Sequence, residues 1–281
     1  MKAYRRRARL AAIGSAVLAS VMAIASTAFA VAGDGGDVSA TMRAHRAAEP
    51  RSVDGNPGFM QVRTDGTLYY YEYAGSGFTG HLLGNGWDKT THIATIGGPK
   101  KSFVDISNGT LRLWKIVDYK AVFVANLNPE GFGATRLIAG IGDAKKSGYT
   151  DLVQVNSAGD LVLWIGGAPT GFYRDYALGY GWSDARLIAT ALDRAKFVEI
   201  KENGELWTWR IGNVANGEYA KGAFTMGGWA NVRLLAPAGL DDAFVSIRYD
   251  GQMVEWRWNS AINNYQAVPH DWGWENARLV G

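Results

Sequence analysis

The chain has 281 residues, no cysteine, and 29 basic against 26 acidic side chains. Five of the basic residues, Lys2, Arg5, Arg6, Arg7 and Arg9, fall within the first 30 positions, which leaves 24 basic and 26 acidic side chains, a net of −2, in the remainder. That balance excludes the clustered positive face of a nucleic-acid binder, and the missing cysteines exclude disulfide staples and thiolate metal sites.

Residues 1–30 combine a basic start, an alanine-rich apolar run to Ile24 and the small residues Ala28-Phe29-Ala30. This layout predicts a secretory signal peptide cleaved near Ala30, and hence a secreted, extracellular protein. The apolar run is short and broken by Gly14, Ser15 and Ser20, and no other stretch approaches membrane-spanning length, so no membrane insertion is expected. Residues 31–57 are rich in Ala, Gly, Asp and Arg without apolar periodicity; they read as a flexible N-terminal segment. The body from residue 58 to 281, about 220 residues, is long enough to bury a core unaided.

That body repeats itself. Aligned on the aromatic that follows a glycine, Trp87, Phe132, Trp182, Trp229 and Trp274 stand 45, 50, 47 and 45 residues apart. A turn glycine recurs independently at Gly66, Gly109, Gly159, Gly204 and Gly251, preceded by Asp65, Asn108, Asn203 and Asp250 in four copies. Asx-Gly pairs predict tight hairpins whose two central residues have positive φ. Two residues after each glycine comes Leu68, Leu111, Leu161, Leu206 or Met253, and five after it Tyr71, Trp114, Trp164, Trp209 or Trp256.

Each copy holds about four short strands, as in "ARLIAT", "KFVEIK", "ELWTWRI" and "EYAKGAFTM". No amphipathic helix is apparent after residue 57. Five copies of a four-stranded unit predict an all-β fold, a five-bladed β-propeller of antiparallel blades over residues 58–281. The chain ends one strand into a new unit, at "ARLVG", while the first copy lacks that strand. Residues 277–281 are therefore expected to complete the first blade and close the ring. The same strand is expected innermost, because Ala94, Ala139, Ala189, Ala236 and Gly281 supply small residues for a crowded axis.

Two chemical repeats accompany the fold. The Gly-Trp aromatics have differing polar neighbours: Asp88, Asp184, Asn231 and Asn276 near Trp87, Trp182, Trp229 and Trp274. The indoles could stack on a sugar face or wedge between blades; burial statistics favour the wedge. Four residues past the anchor stand Arg136, Arg186, Arg233 and Arg278, with Thr91 in the remaining copy. They could gather around one channel mouth as an anion ring, or pin the blades by stacking on aromatics.

The Gly-x-Gly-Trp spacer, the period near 47 and the five copies resemble the tachylectin-type five-bladed propeller lectins, and also the secreted FG-GAP-type propeller repeats. The first resemblance implies a multivalent binder of N-acetylated sugars or cell-surface glycans, with one site per blade; Trp87, Asp88, Trp182, Asp184, Trp229, Asn231, Trp274 and Asn276 are the matching candidates. The second implies a calcium loop at "GDAKKSGYTDL", where Asp143 and Asp151 could offer oxygens. Lys145 stands where a further ligand would be needed, and calcium takes six to eight oxygens, so no cofactor or metal is expected. A protein-binding or inhibitor propeller is the alternative. A glycoside hydrolase comes third, because the inner strands carry no Asp or Glu and glycoside hydrolysis requires a carboxylate pair. The expectation is a monomeric, non-enzymatic binder of glycans or of a surface protein.

Overall fold

The computed structural model describes residues 58–97, 101–127, 131–144, 150–167, 171–190, 195–212, 219–240 and 242–281. The expected signal peptide (1–30) and flexible segment (31–57) lie outside the described residues. In chain order, β1 (Gly58–Arg63), β2 (Leu68–Tyr73) and β3 (Phe78–Gly84) open blade 1. Blade 2 is β4 (Thr90–Gly97), β5 (Ser102–Ser107), β6 (Thr110–Val117) and β7 (Lys120–Asn126). Blade 3 is β8 (Thr135–Gly140), β9 (Leu152–Asn156), β10 (Leu161–Gly167) and β11 (Gly171–Gly179). Blade 4 is β12 (Ala185–Thr190), β13 (Lys196–Lys201), β14 (Leu206–Ile211) and β15 (Ala220–Met226). Blade 5 is β16 (Val232–Pro237), β17 (Ala243–Arg248), β18 (Met253–Asn259) and β19 (Asn264–Pro269), and β20 (Ala277–Val280) ends the chain.

These strands make five four-stranded antiparallel sheets, a five-bladed propeller. The first sheet has the order β20-β1-β2-β3, so the C-terminal strand closes the ring. Met60 N–H donates to Gly281 O at 2.8 Å and Gly281 N–H to Met60 O at 3.1 Å. The inner strands β4, β8, β12, β16 and β20 neighbour one another around the axis. Space there is short: Ala94, Ala139, Ala189 and Ala236 are buried, and a Cβ on Gly281 would lie 1.9 Å from the Ile93 carbonyl oxygen.

The hairpins correct one expectation. Of the five repeated Gly hairpins, Asn108-Gly109 alone is a two-residue turn with both residues at positive φ (51° and 75°). In the other four blades only the glycine has positive φ, and Gly66, Gly159, Gly204 and Gly251 donate back to Arg63, Asn156, Lys201 and Arg248 at 3.0–3.1 Å. These are three-residue loops, a type I turn completed by a left-handed glycine. The Asx residue serves through its side chain: Asp65, Asn203 and Asp250 Oδ1 accept the amides of Thr67, Glu205 and Gln252 at 2.9–3.1 Å.

The core lies between blades rather than within them. Five apolar clusters occupy the five junctions. Four blades repeat an aromatic packing: Phe103 with Trp87, Phe197 with Trp182, Phe244 with Trp229 and Phe59 with Trp274, at centroid distances of 5.7–5.8 Å. These phenylalanines are fully buried, and Leu152 takes the corresponding place in blade 3. The sequence reading missed this ring, although "FVDI", "FVEI" and "FVSI" carry it openly.

Candidate functional site

The Gly-Trp turns are the joints of the ring. Trp87, Trp182, Trp229 and Trp274 are 3–8 % exposed and Phe132 is 1 % exposed. Each indole packs on the third-strand aromatic of its own blade, with centroids 4.4–4.8 Å apart for Trp87–Trp114, Trp182–Trp209, Trp229–Trp256 and Trp274–Tyr71. Its amide donates to the hairpin glycine of the preceding blade: Trp87 to Gly66, Trp182 to Gly159, Trp229 to Gly204 and Trp274 to Gly251, at 2.9–3.2 Å. The two anchors of the sequence repeat are therefore hydrogen-bonded partners. Of the polar neighbours, Asp88 lies against Gly66 and Asp184 Oδ2 meets Lys201 Nζ at 3.0 Å. Asn231 and Asn276 accept amides of the hairpin of the blade they lead into, from Tyr249 and Thr64, through their main-chain carbonyls. The structure thus distributes these candidates over four junctions and brings no two of them into one site.

The repeated arginines reach across the same joints. Arg278 donates to Thr90 O and Trp87 O, both at 2.7 Å. Arg136 reaches Ala185 O and Trp182 O, Arg186 reaches Val232 O and Trp229 O, and Arg233 reaches Ala277 O and Trp274 O. Their guanidiniums bond carbonyls of the next blade, where the sequence pointed to stacking on aromatics. Blade 2 has Thr91 instead, whose hydroxyl donates to Ile106 O at 3.1 Å; the neighbouring His92 Nε2 meets Arg136 O at 3.0 Å. Burial holds the His92 pKa below its ordinary value. Of the four arginines only Arg136 lines the channel mouth, a cavity of about 200 Å³ walled mainly by aliphatic side chains.

Asp143 is partly buried, and Asp151 is fully buried with Oδ1 accepting the Gly166 amide at 2.9 Å. Lys145 and Ser147 of the proposed calcium loop lie outside the described residues. Among the described residues no group of His, Cys, Asp and Glu has the arrangement of a metal site, and no helix is long and apolar enough to cross a membrane. Each blade does bury one polar side chain at a common second-strand position: Gln61, Asp105, Gln154, Glu199 and Ser246. In three blades it accepts the indole N–H of Trp114, Trp164 or Trp209 at 2.7–2.8 Å through Asp105, Gln154 or Glu199, and in blade 5 the Ser246 hydroxyl accepts from Trp256 at 2.9 Å. Burial pushes the Glu199 pKa up to about 7 against the opposing Trp209 hydrogen bond.

The junction between blades 4 and 5 is open. It holds a groove of about 560 Å³. On the blade 4 side its wall includes Thr208, Ala223 and Thr225; on the blade 5 side it includes Asp242, Trp258 and Tyr265. The opening follows from residue size at one register. In blade 1 the cross-strand pair is Tyr70↔His81, with the His81 ring stacked 3.9 Å from Tyr119 of blade 2. In blade 4 the same pair is Thr208↔Ala223. The junction between blades 5 and 1 is filled likewise, by Arg257 bonded to Tyr73 at 2.7 Å and Phe78 packed edge-on to His270. Both walls mix aromatic and polar side chains: Phe224 and Trp209 on blade 4, Trp258 with Asp242 and Asn263 on blade 5. Thr208 and Thr225 hydroxyls are 2.8 Å apart. Trp258 packs edge-on to Tyr265 at 5.2 Å.

No protein-family model and no curated protein matches the chain. Solved structures match it at low identity. Yeast RCC1 (Prp20), in its complex with Kap60, is 10 % identical with a TM-score of 0.39, over 72 % of this chain and 54 % of that one. Human WBSCR16 is 12 % identical with a TM-score of 0.37, over 68 % and 55 %. A protein from Lactobacillus plantarum is 10 % identical with a TM-score of 0.40, over 76 % and 66 %. The matched region spans about half to two-thirds of those chains.

Proposed function

We propose that the protein is a carbohydrate-binding propeller, acting outside the cell, whose sugar site is the groove between blades 4 and 5. The observation that carries this reading is the groove's composition. The half-buried Trp258 and the exposed Phe224 line it together with the hydroxyls of Thr208 and Thr225 and the carboxylate of Asp242. A saccharide presents apolar C–H faces and a ring of hydroxyls, so it needs an apolar platform and a few placed polar groups. The tachylectin-type resemblance of the Gly-x-Gly-Trp repeat supports the same class. The proposal differs from one site per blade, since bulky side chains fill the corresponding space at the junctions between blades 1 and 2 and between blades 5 and 1. It also moves the sugar away from the Gly-Trp turns, whose indoles are buried.

A glycan array followed by calorimetry on the full chain tests it. We expect one site per propeller. Thr208→Tyr, which copies the Tyr70 of blade 1, should fill the groove and abolish binding with little change in thermal unfolding. No binding to any glycan would favour a protein partner instead. That second reading has its own observation: β7, an edge strand, exposes Val122, Phe123 and Val124 beside Val117 and Tyr119, the kind of apolar edge that pairs with another chain.

A further inference from the structure

The outermost strand of each blade presents a row of backbone N–H and C=O groups without a neighbouring strand, and charge, glycine or proline there discourages pairing with another chain. β3 is interrupted by Gly80, β11 by Arg174 and Asp175 and β15 by Gly222, while β19 ends on Pro269. β7 lacks these guards. Ala121-Val122-Phe123-Val124-Ala125 is apolar throughout, with Val122, Phe123 and Val124 exposed by 36, 49 and 40 %. A bulge at Val124 recurs at the same level of β3, β11 and β15, so it does not set β7 apart.

Those five residues read the same in both directions about Phe123. In an antiparallel pair of two copies with its two-fold axis at Phe123, Val122 of each copy lies opposite Val124 of the other. Ala121 then meets Ala125, and Lys120 meets Asn126, so no like charges face. A two-fold interface requires such self-complementarity. The backbone is turned the right way as well. Ile116 N–H bonds Lys101 O, on the β5 side of its strand. Direction alternates along an antiparallel ladder, so Ala121 and Phe123, which stand opposite Ile116 and Trp114, turn their N–H and C=O away from β6. The Phe123 ring itself rests edge-on against Trp114 at 5.3 Å.

We propose that the protein forms a two-fold dimer in which β7 pairs with β7 of a second copy, joining blade 2 of each into one eight-stranded antiparallel sheet. The two Phe123 residues exchange N–H and C=O hydrogen bonds at the axis. This departs from the monomer expected from the sequence. It does not depend on the sugar reading, although a dimer would carry two of the grooves described above. A single strand pair lies at the small end of specific interfaces, so the dimer dissociates on dilution.

Sedimentation velocity of the full chain over a range of concentrations tests it. We expect a monomer–dimer equilibrium with no larger species. Phe123→Lys sets two ammonium groups directly opposite each other and should stay monomeric over the same range. Because Phe123 also touches Trp114, Val124→Lys is the companion variant, and it should lose the dimer too while keeping the native melting temperature. Cysteine placement then reads the register, since the chain has no cysteine of its own. Phe123→Cys lies opposite itself with Cα atoms about 5.5 Å apart, within the reach of a disulfide, so oxidised glutathione should link it into a covalent dimer. Lys120→Cys, three residues from the axis, places its two thiols about 20 Å apart and should remain unlinked. A monomer at every concentration would overturn the proposal. So would equal cross-linking of the two cysteine variants, or oligomers that keep growing beyond the dimer, which would mean an open edge without a two-fold axis. None of these readouts involves a sugar, so the failure of either proposal leaves the other standing.

Discussion

The junction between blades 2 and 3 differs from the other four. Elsewhere an inner-strand arginine ties two carbonyls of the next blade, at its Trp and at the residue three further on. A buried indole fills the space beneath. At the 2–3 junction Thr91 replaces the arginine, Phe132 replaces the tryptophan, and a single His92 ring nitrogen spans the gap. The difference teaches that the repeat encodes a joint. The residues that recur most faithfully are those that fasten one blade to the next, as a ring of nearest-neighbour contacts requires.

The largest test of this view removes a joint entirely. A chain ending at Glu275 loses β20, and with it the Arg278 clasp to Trp87 and Thr90 and the Ala277 carbonyl that Arg233 holds. Two junctions fail together, and the edge of β1 is bared. We expect no cooperative thermal transition at the native temperature; a native-like melt would refute closure through β20.

Trp229→Ala removes a buried indole from the 4–5 junction and should cost about 3–5 kcal/mol. Phe132→Leu, a smaller change at the weaker junction, should cost about 1 kcal/mol. Unchanged unfolding of Trp229→Ala together with lost glycan binding would return the Gly-Trp residues to the role of sugar ligands.

The joint itself was legible in the sequence because it must recur. Trp, Gly and Arg appear at fixed spacing, and blade number, strand count and closure followed from them. What the arginines touch was not legible, since a carbonyl acceptor leaves no sequence signature. The hairpins were misread for a related reason: Asp65, Asn203 and Asp250 act by side-chain hydrogen bonds rather than by positive φ. The groove was invisible. It arises from small residues, Thr208 and Ala223, where another blade has Tyr70 and His81, and only register aligns those positions.

A complete junction can still carry a cost. Glu199, in the 3–4 joint, has a folded pKa raised from 4.5 to about 7. A raised acid contributes stability that is present below its unfolded pKa and lost as pH rises through the folded one, here across pH 4.5 to 7. The difference corresponds to about 3 kcal/mol. Glu199→Gln copies Gln154 of blade 3, whose Oε1 accepts the Trp164 indole N–H at 2.7 Å. It should raise the melting temperature by roughly 5–10 °C at pH 8, with the gain shrinking toward pH 5. Equal melting at both values of pH would show that burial does not hold the Glu199 proton.

Exchange of the clasp probes the comparison more finely. Arg186→Met removes the guanidinium donors to Val232 O and Trp229 O and should cost about 2 kcal/mol. Thr91→Arg supplies the missing guanidinium to the 2–3 junction and should gain about 1 kcal/mol. If both variants melt with the wild type, the arginines do not fasten the blades.

The smallest expected effect belongs to His92. Its folded pKa is lowered by burial, which penalises the imidazolium. The stability of the neutral ring is present above the ordinary histidine value and is lost as pH falls through the lowered one. Below about pH 6.5 the 2–3 junction should therefore weaken while the arginine-clasped junctions, whose donors stay protonated, do not. Glu199 pulls the other way over part of that range, so the measurement belongs in the Glu199→Gln background. There the melting temperature should fall by a few degrees between pH 7 and 5, and the added change His92→Gln should flatten the fall. Hydrogen exchange places the effect: amides of β4 and β8 should lose protection first, ahead of β12 and β16. Uniform loss around the ring would mean that the 2–3 junction is no weaker than its neighbours.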